Sequence, residues 1–230
     1  MINWRGVQRR LGVPADGVPG PMTFAALLRE MGAGRLAVPL AAGMARELGM
    51  AGILETRMRL VHWLGQNAHE SAGFNRLEES LNYTSAAQIK RVWPSRFRDI
   101  SKARALLRNP EMLAEAVYGR RMGNIVPGWG WHYRGRGLKM ITFANNYRWM
   151  QQITGLPVFE QPDLAARPDV AVQLSARYWR HVGCSEWADR DDVRALSNLI
   201  NRGNARARQS PIGLADRERR TEQARALIGV

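Results

Sequence analysis

The sequence predicts a mainly α-helical globular protein, and three observations support this prediction. Apolar residues recur at helical spacing along most of the 230 residues. Glycine, proline and serine stand where helices would begin or end. No alternation of strands and helices of the kind that builds a parallel sheet is present. With 45% hydrophobic and 23% charged residues, the chain has an ordinary globular composition and enough length to bury a core.

Two short helices separated by a turn are predicted at the N-terminus. Apolar side chains follow helical spacing in residues 4–11, and the stretch GVPADGVPG at residues 12–20 is dense in turn-forming residues. Pro21 can open the second helix, which two glycines then end. We therefore assign residues 1–35 to a small N-terminal module and residues 36–230 to a larger domain.

A long helix with an apolar stripe from Leu54 to Ala68 is predicted to end near Ser71, which brings His69 and Glu70 to its C-terminal end. Ser85 and Ser101 are suited to cap the next two helices. Further helices are predicted at residues 85–92, 101–107, 111–118, 142–153, 168–182, 191–200 and 215–228. Residues 129–141 are rich in aromatics and glycine, which predicts a small β-hairpin lining a cleft.

The charge balance predicts an anionic partner, since 34 Lys and Arg residues against 20 Asp and Glu give a net charge of +14. Nucleic acid, an acidic membrane surface and an anionic bacterial envelope all fit this charge.

The single cysteine, Cys184, excludes an intrachain disulfide framework and a Cys-rich metal site. Because no phosphate-binding glycine loop and no HExxH motif occur, we expect no nucleotide, no metal and no cofactor. The opening residues lack the apolar region of a secretory signal, so synthesis in the cytoplasm is expected.

Carboxylates near the end of the long helix are the candidate catalytic groups. Glu70 and Glu79 could form the acid and base pair that glycoside hydrolysis requires. The helix macrodipole disfavours negative charge at a C-terminus, which would raise the pKa of Glu70 and suit it to the acid role. Alternatively, Glu78 and Glu79 are solvated surface acids that pair with arginines.

Several separated motifs resemble glycoside hydrolase family 19, and within it the chitinase-like endolysins of bacteriophages and prophages. In chain order they are AHESAGFNRLEESLNYTS from Ala68, YGRRMGN from Tyr118, GWGWHYRGRGLKMIT from Gly128, Asn146-Tyr147 and GLADR from Gly213. The resemblance covers roughly residues 48–228. It implies a lysozyme-like helical domain that inverts the anomeric configuration by means of two glutamates.

The resemblance assigns a role to each matching residue. Glu70 becomes the general acid and Glu79 the general base that activates water, with the carboxyl groups roughly 6.5 to 9.5 Å apart in an inverting enzyme. Thr142 would help to hold the attacking water. The resemblance also implies that His69, Asn146 and Asn201 bind the substrate. Arg217 would lie near the cleft, behind the residues that contact the sugar. Tyr83 and Tyr133 could stack on sugar rings, although core packing explains each tyrosine equally well.

Two departures from the family pattern affect substrate contacts. Met140 stands where family members commonly have a glutamine, and Arg202 adds a cation where a glycine is more usual. The N-terminal stretch also resembles the second half of a peptidoglycan-binding module through the signature Asp16, Gly17, Gly20, Pro21 and Thr23. That segment could bind cell wall or serve only to dock on the rest of the chain.

These observations predict a monomeric endolysin that hydrolyses the β-1,4 glycan of bacterial peptidoglycan in the periplasm or cell wall after the membrane is permeabilised. Peptidoglycan and the anionic envelope are the expected partners, and specific nucleic acid is not. One alternative is a chitinase acting on N-acetylglucosamine polymers. Another is a non-catalytic wall-binding protein.

Overall fold

A computed structural model describes all 230 residues, Met1 to Val230. It contains thirteen α-helices, one 3-10 helix at Pro162–Ala166 and only isolated β-bridges, so the prediction of a mainly α fold is confirmed. No helix is both long enough and apolar enough to span a bilayer. The helices are α1 (Trp4–Arg10), α2 (Pro21–Glu30), α3 (Ala37–Glu47), α4 (Arg57–Glu70), α5 (Ala86–Val92), α6 (Ile100–Arg104), α7 (Pro110–Tyr118), α8 (Trp129–His132), α9 (Ala144–Thr154), α10 (Pro168–His181), α11 (Cys184–Asp189), α12 (Val193–Arg202) and α13 (Leu214–Ile228).

The helices belong to two compact units. Unit 1 consists of Met1–Leu77, Gly137–Lys139 and Ala165–Val230, and unit 2 consists of Glu78–Arg136 and Met140–Leu164. Unit 1 therefore contains α1 to α4 and α10 to α13, whereas α5 to α9 lie in unit 2. The division between residues 35 and 36 stays a prediction.

Helix α4 is central to unit 1 and ends where the sequence predicts, but it begins at Arg57, so Leu54 of the predicted stripe precedes it. The Thr56 hydroxyl accepts a hydrogen bond from the Arg59 amide at 3.2 Å, which caps the N-terminus. At the other end the helix stops at Glu70. Ala72, Gly73 and Phe74 all have positive φ values, so the chain turns sharply directly after the predicted acid.

Helix α4 packs closely against α13, and a glycine makes this possible. A Cβ atom at Gly65 would lie 2.4 Å from Thr221 Oγ1 and 2.9 Å from Thr221 Cα. No side chain fits at that position without moving the backbone of α13. The close approach brings the last turn of α4 beside the first turns of α13, where Arg217 lies.

The N-terminal module folds around the buried side chain of Gln8. Its amide nitrogen donates to Asp16 Oδ1 at 2.7 Å and to Val18 O at 3.0 Å, and its carbonyl oxygen accepts from the Gly17 amide at 2.8 Å. Asp16 and Gly17 belong to the signature noted in the sequence, and that signature therefore stabilises the turn. Helix α2 packs on α3 within unit 1.

Unit 2 has its own apolar core, formed by α5, α6 and α7. The caps of these helices are local: Ser85 caps α5 as predicted, and Asn109 caps α7. The prediction that Ser101 caps the next helix is wrong, because the carboxylate of Asp99 accepts from the Ser101 amide at 2.9 Å and starts α6 earlier. The buried core residues are Leu81, Ala86, Ile89, Phe97, Ala103, Leu106, Leu113, Ala114 and Val117.

The predicted β-hairpin at residues 129–141 is largely absent. Its first part forms α8, and Gly130 of this helix packs so tightly against α7 that a Cβ atom would lie 2.7 Å from Ala114 O. Its second part retains an antiparallel bridge between Arg136 and Ile141, and Arg136 forms another bridge with Glu78. The glycines that suggested a hairpin instead serve close packing and a tight turn.

Candidate functional site

Glu70 lies at the end of α4 in unit 1, paired with a buried arginine. Arg217, whose side chain is 1% exposed, donates from Nη2 to Glu70 Oε1 at 2.5 Å. Its other nitrogens donate to Gln66 Oε1 at 2.6 Å and to Ile212 O at 3.1 Å. Three partners therefore hold the guanidinium in one orientation, and the guanidinium in turn holds the Glu70 carboxylate.

A second cation, Lys139 of the GWGWHYRGRGLKMIT motif, interacts with the charge of Glu70. Burial lowers the pKa of Lys139 to about 8, and the charge of Glu70 acts in the opposite direction. The Lys139 ammonium lies 4.2 Å from the centre of the Tyr178 ring, in cation–π contact. The helix dipole is therefore not the only influence on the Glu70 carboxylate, because the positive side chains of Arg217 and Lys139 also act on it.

His69 is held by Asp216 of α13 and by Gly213, the residue that precedes α13. Its Nδ1 lies 2.7 Å from Asp216 Oδ2, and this contact contributes to lowering the pKa of Asp216. A Cβ atom at Gly213 would stand 2.2 Å from the His69 ring, and Gly213 has a φ of +73°. Only glycine fits there, so the GLADR motif supplies both the space and the carboxylate for His69.

Glu79 lies in unit 2, where the Tyr118 side chain and the Gly135 backbone hold its carboxylate. The Tyr118 hydroxyl donates to Glu79 Oε1 at 2.7 Å, and the Gly135 amide donates to Glu79 Oε2 at 3.3 Å. Burial, followed by the charge of Glu79, raises the pKa of Tyr118 well above its ordinary value, so the hydroxyl keeps its proton. The Glu79 amide also donates to Gly135 O at 2.8 Å.

Thr142 lies close to the Glu79 carboxylate. A Cβ atom at Gly135 would be 3.2 Å from Glu79 Oε2 and 3.3 Å from Thr142 Oγ1, so both oxygens border the same small volume. Thr142 Oγ1 donates to Met140 O at 2.9 Å, and Asn146 Nδ2 donates to Thr142 O at 2.7 Å. The structure therefore brings three of the predicted residues together: Glu79, Thr142 and Asn146.

The backbone around Thr142 is strained. Met140 has a φ of +46°, and Phe143 combines a φ of 76° with a ψ of 142°, a region that residues other than glycine rarely occupy. Such strain costs of the order of 1–3 kcal/mol per residue and persists where the surrounding structure imposes it. Its position on both sides of Thr142 supports a functional role for this turn.

Glu78, the neighbour of Glu79, has a different environment. Its carboxylate pairs with Arg134 and with Arg136 Nε, the latter at 3.0 Å. Arg136 is almost fully buried and also pairs with Asp163 at 2.6 Å. The alternative that these acids pair with arginines therefore describes Glu78, and Glu79 accepts hydrogen bonds from Tyr118 and Gly135.

The two predicted aromatic contacts differ in exposure. Tyr133 is buried, stacks on Phe159 with ring centres 5.3 Å apart, and donates its hydroxyl proton to Phe159 O at 3.1 Å. This placement corresponds to the core-packing alternative. Tyr83 is half-buried and packs edge-on against Trp93 at 5.6 Å, so part of its surface is available to a ligand.

Asn201 and Arg202 lie at the exposed end of α12 in unit 1. Asn201 Oδ1 accepts from the Ile212 amide at 3.1 Å, and Arg202 Nη2 donates to Ser210 O at 2.8 Å. Both side chains therefore hold the loop that leads to α13. The amide nitrogen of Asn201 is the group that a ligand could use.

Sequence reasoning missed two residues of this site. Tyr118 binds Glu79 directly, and Lys139 interacts with Glu70. Both lie inside motifs that resemble the family, and this location is the sequence signal that could have identified them as site residues. Periodicity identified Tyr118 only as the last residue of a helix.

We expect Arg217→Met to lower the free energy of unfolding by about 3 kcal/mol, because it leaves Glu70 and Gln66 without their buried partner. Urea unfolding monitored by circular dichroism measures this change. Arg190→Met is the matched control, since Arg190 forms an exposed pair with Glu186 worth less than about 1 kcal/mol. Equal losses in the two variants would contradict a structural role for the Arg217 network.

Comparison with known proteins identified an informative relative. No family model matches the chain. A curated protein of Haemophilus influenzae, described as a "Glycosyl hydrolase family 19 domain-containing protein", is 36% identical over 149 residues. The alignment covers 64% of this chain and 72% of the relative.

Proposed function

Because the chain belongs to glycosyl hydrolase family 19, we propose that it hydrolyses β-1,4 glycosidic bonds of bacterial peptidoglycan as an endolysin. The observation that carries the proposal is the environment of Glu79. A tyrosine hydroxyl and a backbone amide bind its carboxylate, and a threonine hydroxyl lies beside it. A carboxylate held in this way can accept a proton from a water molecule that the threonine helps to position.

In the proposed mechanism Glu70 carries the proton that passes to the oxygen of the leaving sugar. Glu79 removes a proton from water as that water attacks the anomeric carbon from the opposite face. The glycosidic C–O bond breaks, a new C–O bond forms, and the anomeric configuration inverts. Arg217 would orient the acid, and Tyr118 would orient the base.

Two features favour peptidoglycan over chitin. The net charge of +14 attracts an anionic wall, whereas chitin is a neutral polymer. The N-terminal module resembles the second half of a peptidoglycan-binding module, although Asp16 and Gly17 of the matching signature also stabilise its own turn. We further propose that the enzyme acts at the cell wall once the membrane has been permeabilised.

Digestion of purified peptidoglycan tests the proposal. Released fragments are reduced with borohydride and analysed by mass spectrometry, with chitin oligomers as a parallel substrate. Reduced N-acetylmuramic acid ends are expected, which would establish a muramidase. Reduced N-acetylglucosamine ends would reassign the bond that is cut. Hydrolysis of chitin oligomers with intact peptidoglycan would favour the chitinase alternative, and retention on the wall without new ends would favour the binding-only alternative.

A further inference from the structure

The strongest concentration of positive charge in the sequence lies in unit 2, at residues 90–108. We call residues 90–108 the basic segment; it covers the end of α5, all of α6 and the loops around them. It contains seven cationic residues and one acid, Asp99. The cationic residues are Lys90, Arg91, Arg96, Arg98, Lys102, Arg104 and Arg108, and all seven are exposed.

None of these seven side chains forms an ion pair with a carboxylate, although the charges of Lys90 and Lys102 act on Asp99 at longer range. The one local acid, Asp99, uses its oxygens on the Ser101 amide and hydroxyl, at 2.9 and 2.6 Å, as the cap of α6. Seven like charges within nineteen residues repel one another. An anionic partner would relieve that repulsion.

The basic segment is a preformed surface. Ile89 and Phe97 anchor it in the apolar core of unit 2, and α5 contacts α6 directly. The Lys90 ammonium donates to Arg98 O at 2.9 Å, which ties the end of α5 to the loop before α6. The cations therefore stand on a folded base, so that binding need not first order the chain.

Exposed apolar side chains lie among these cations. Val92 is 47% exposed and Ile100 is 40% exposed, although both belong to helices with a buried side. A soluble polyanion such as a phosphate polymer would contact only the charges. A bilayer with anionic headgroups would contact the charges and also accept the apolar side chains below the headgroup level.

We propose that the basic segment is a docking surface for an anionic lipid bilayer. The cations bind lipid phosphates, and Val92 and Ile100 enter the interfacial region of the membrane. Binding is peripheral, since no helix of the protein could span the bilayer. None of the seven cations is a residue assigned to hydrolysis, so the proposal does not depend on the enzymatic one.

Sedimentation with lipid vesicles tests the proposal without any enzymatic readout. The vesicles contain equal parts of phosphatidylglycerol and phosphatidylcholine, or phosphatidylcholine alone. We expect the wild type to bind only the anionic vesicles. Neutralising Arg91, Arg96, Arg98 and Lys102 with glutamine should weaken that binding by at least about 100-fold, since each cation near an anionic surface contributes roughly five-fold.

A matched variant controls for net charge. Replacing Arg9, Arg29, Arg35 and Arg46 of unit 1 with glutamine removes the same number of exposed charges elsewhere. This variant should lose no more than about three-fold, since the proposal places the lipid contact on the basic segment and salt at 0.1 M screens other charges over about 10 Å. An equal loss in both variants would overturn the assignment to the basic segment.

Two further variants separate the bilayer from other polyanions and from misfolding. Val92→Ser combined with Ile100→Ser should weaken vesicle binding about ten-fold, because apolar surface no longer enters the membrane. Unchanged binding would overturn the entry of Val92 and Ile100 into the membrane and would reduce the contact to charge alone, which a soluble polyanion could make equally well. Arg91→Lys, Arg96→Lys and Arg98→Lys together keep the charge and should keep binding within about three-fold. Absence of wild-type binding to anionic vesicles would overturn the whole proposal.

Discussion

Replacing Glu70 with glutamine is expected to lower the rate of glycan hydrolysis by roughly 10²- to 10⁴-fold, the usual contribution of a general acid. Glutamine has nearly the same shape and can still accept from Arg217, so α4 and its ion-pair partner keep their places. It cannot give a proton to the leaving oxygen. The release of reducing ends from peptidoglycan measures the change.

Glu186→Gln provides the control for Glu70→Gln. Glu186 lies on α11 in the same unit, and its exposed pair with Arg190 has no assigned role in catalysis. This variant should retain the wild-type rate. Hydrolysis at the wild-type rate by Glu70→Gln would exclude Glu70 as the acid.

The leaving group tests the role of Glu70 more specifically. An aryl glycoside with a weakly basic leaving group needs little protonation, so Glu70→Gln should lose much less activity on that substrate than on the natural glycan. A variant that merely distorts the site would lose a similar factor on both substrates. The alkaline limb of the pH–rate profile should also disappear, because deprotonation of the acid produces that limb.

Replacing Glu79 with glutamine is expected to cause a loss of similar size, roughly 10²- to 10⁴-fold, for a different reason. The introduced amide can still bind Tyr118 through its carbonyl oxygen, but it cannot take a proton from water. The loss should therefore be the same for activated and natural substrates, and the acidic limb of the pH–rate profile should disappear. A loss confined to the natural substrate would instead indicate an acid role for Glu79.

The adjacent residue is the sharpest control for this prediction. Glu78→Gln changes the same functional group one position away, in a carboxylate whose arginine partner Arg136 keeps its second acid, Asp163. We expect its activity to stay within about two-fold, because the Glu78 carboxylate itself is exposed and the buried Arg136 keeps Asp163 as its partner. A large loss in Glu78→Gln together with an active Glu79→Gln would exchange the roles of the two residues.

The helices could be predicted from the sequence because their determinants are local. The apolar stripe of α4, the cap at Ser85 and the sharp stop after Glu70 all depend on residues within a few positions of one another. Local rules failed where two local signals compete, as at Asp99 and Ser101. They also failed where packing changes the conformation of a glycine-rich segment, as in α8.

The candidate carboxylates could be identified from the sequence, but their environments could not. Glu78 and Glu79 are indistinguishable as residue types and adjacent in the chain. Only the folded structure gives one of them two arginines and the other a tyrosine and a backbone amide. Likewise, nothing local connects Lys139 with Glu70.

By itself, the sequence determined the helical class of this protein, the end of α4 that carries Glu70, the positive charge and the motifs that indicate the family. Only packing in three dimensions determines which side chains become partners of the catalytic candidates. The pair of Glu70 with Arg217 joins residues 147 positions apart, and it exists because glycine lets α4 approach α13 closely. Helix formation depends on neighbours along the chain, whereas the protonation, orientation and pairing of a buried side chain depend on neighbours that only packing supplies.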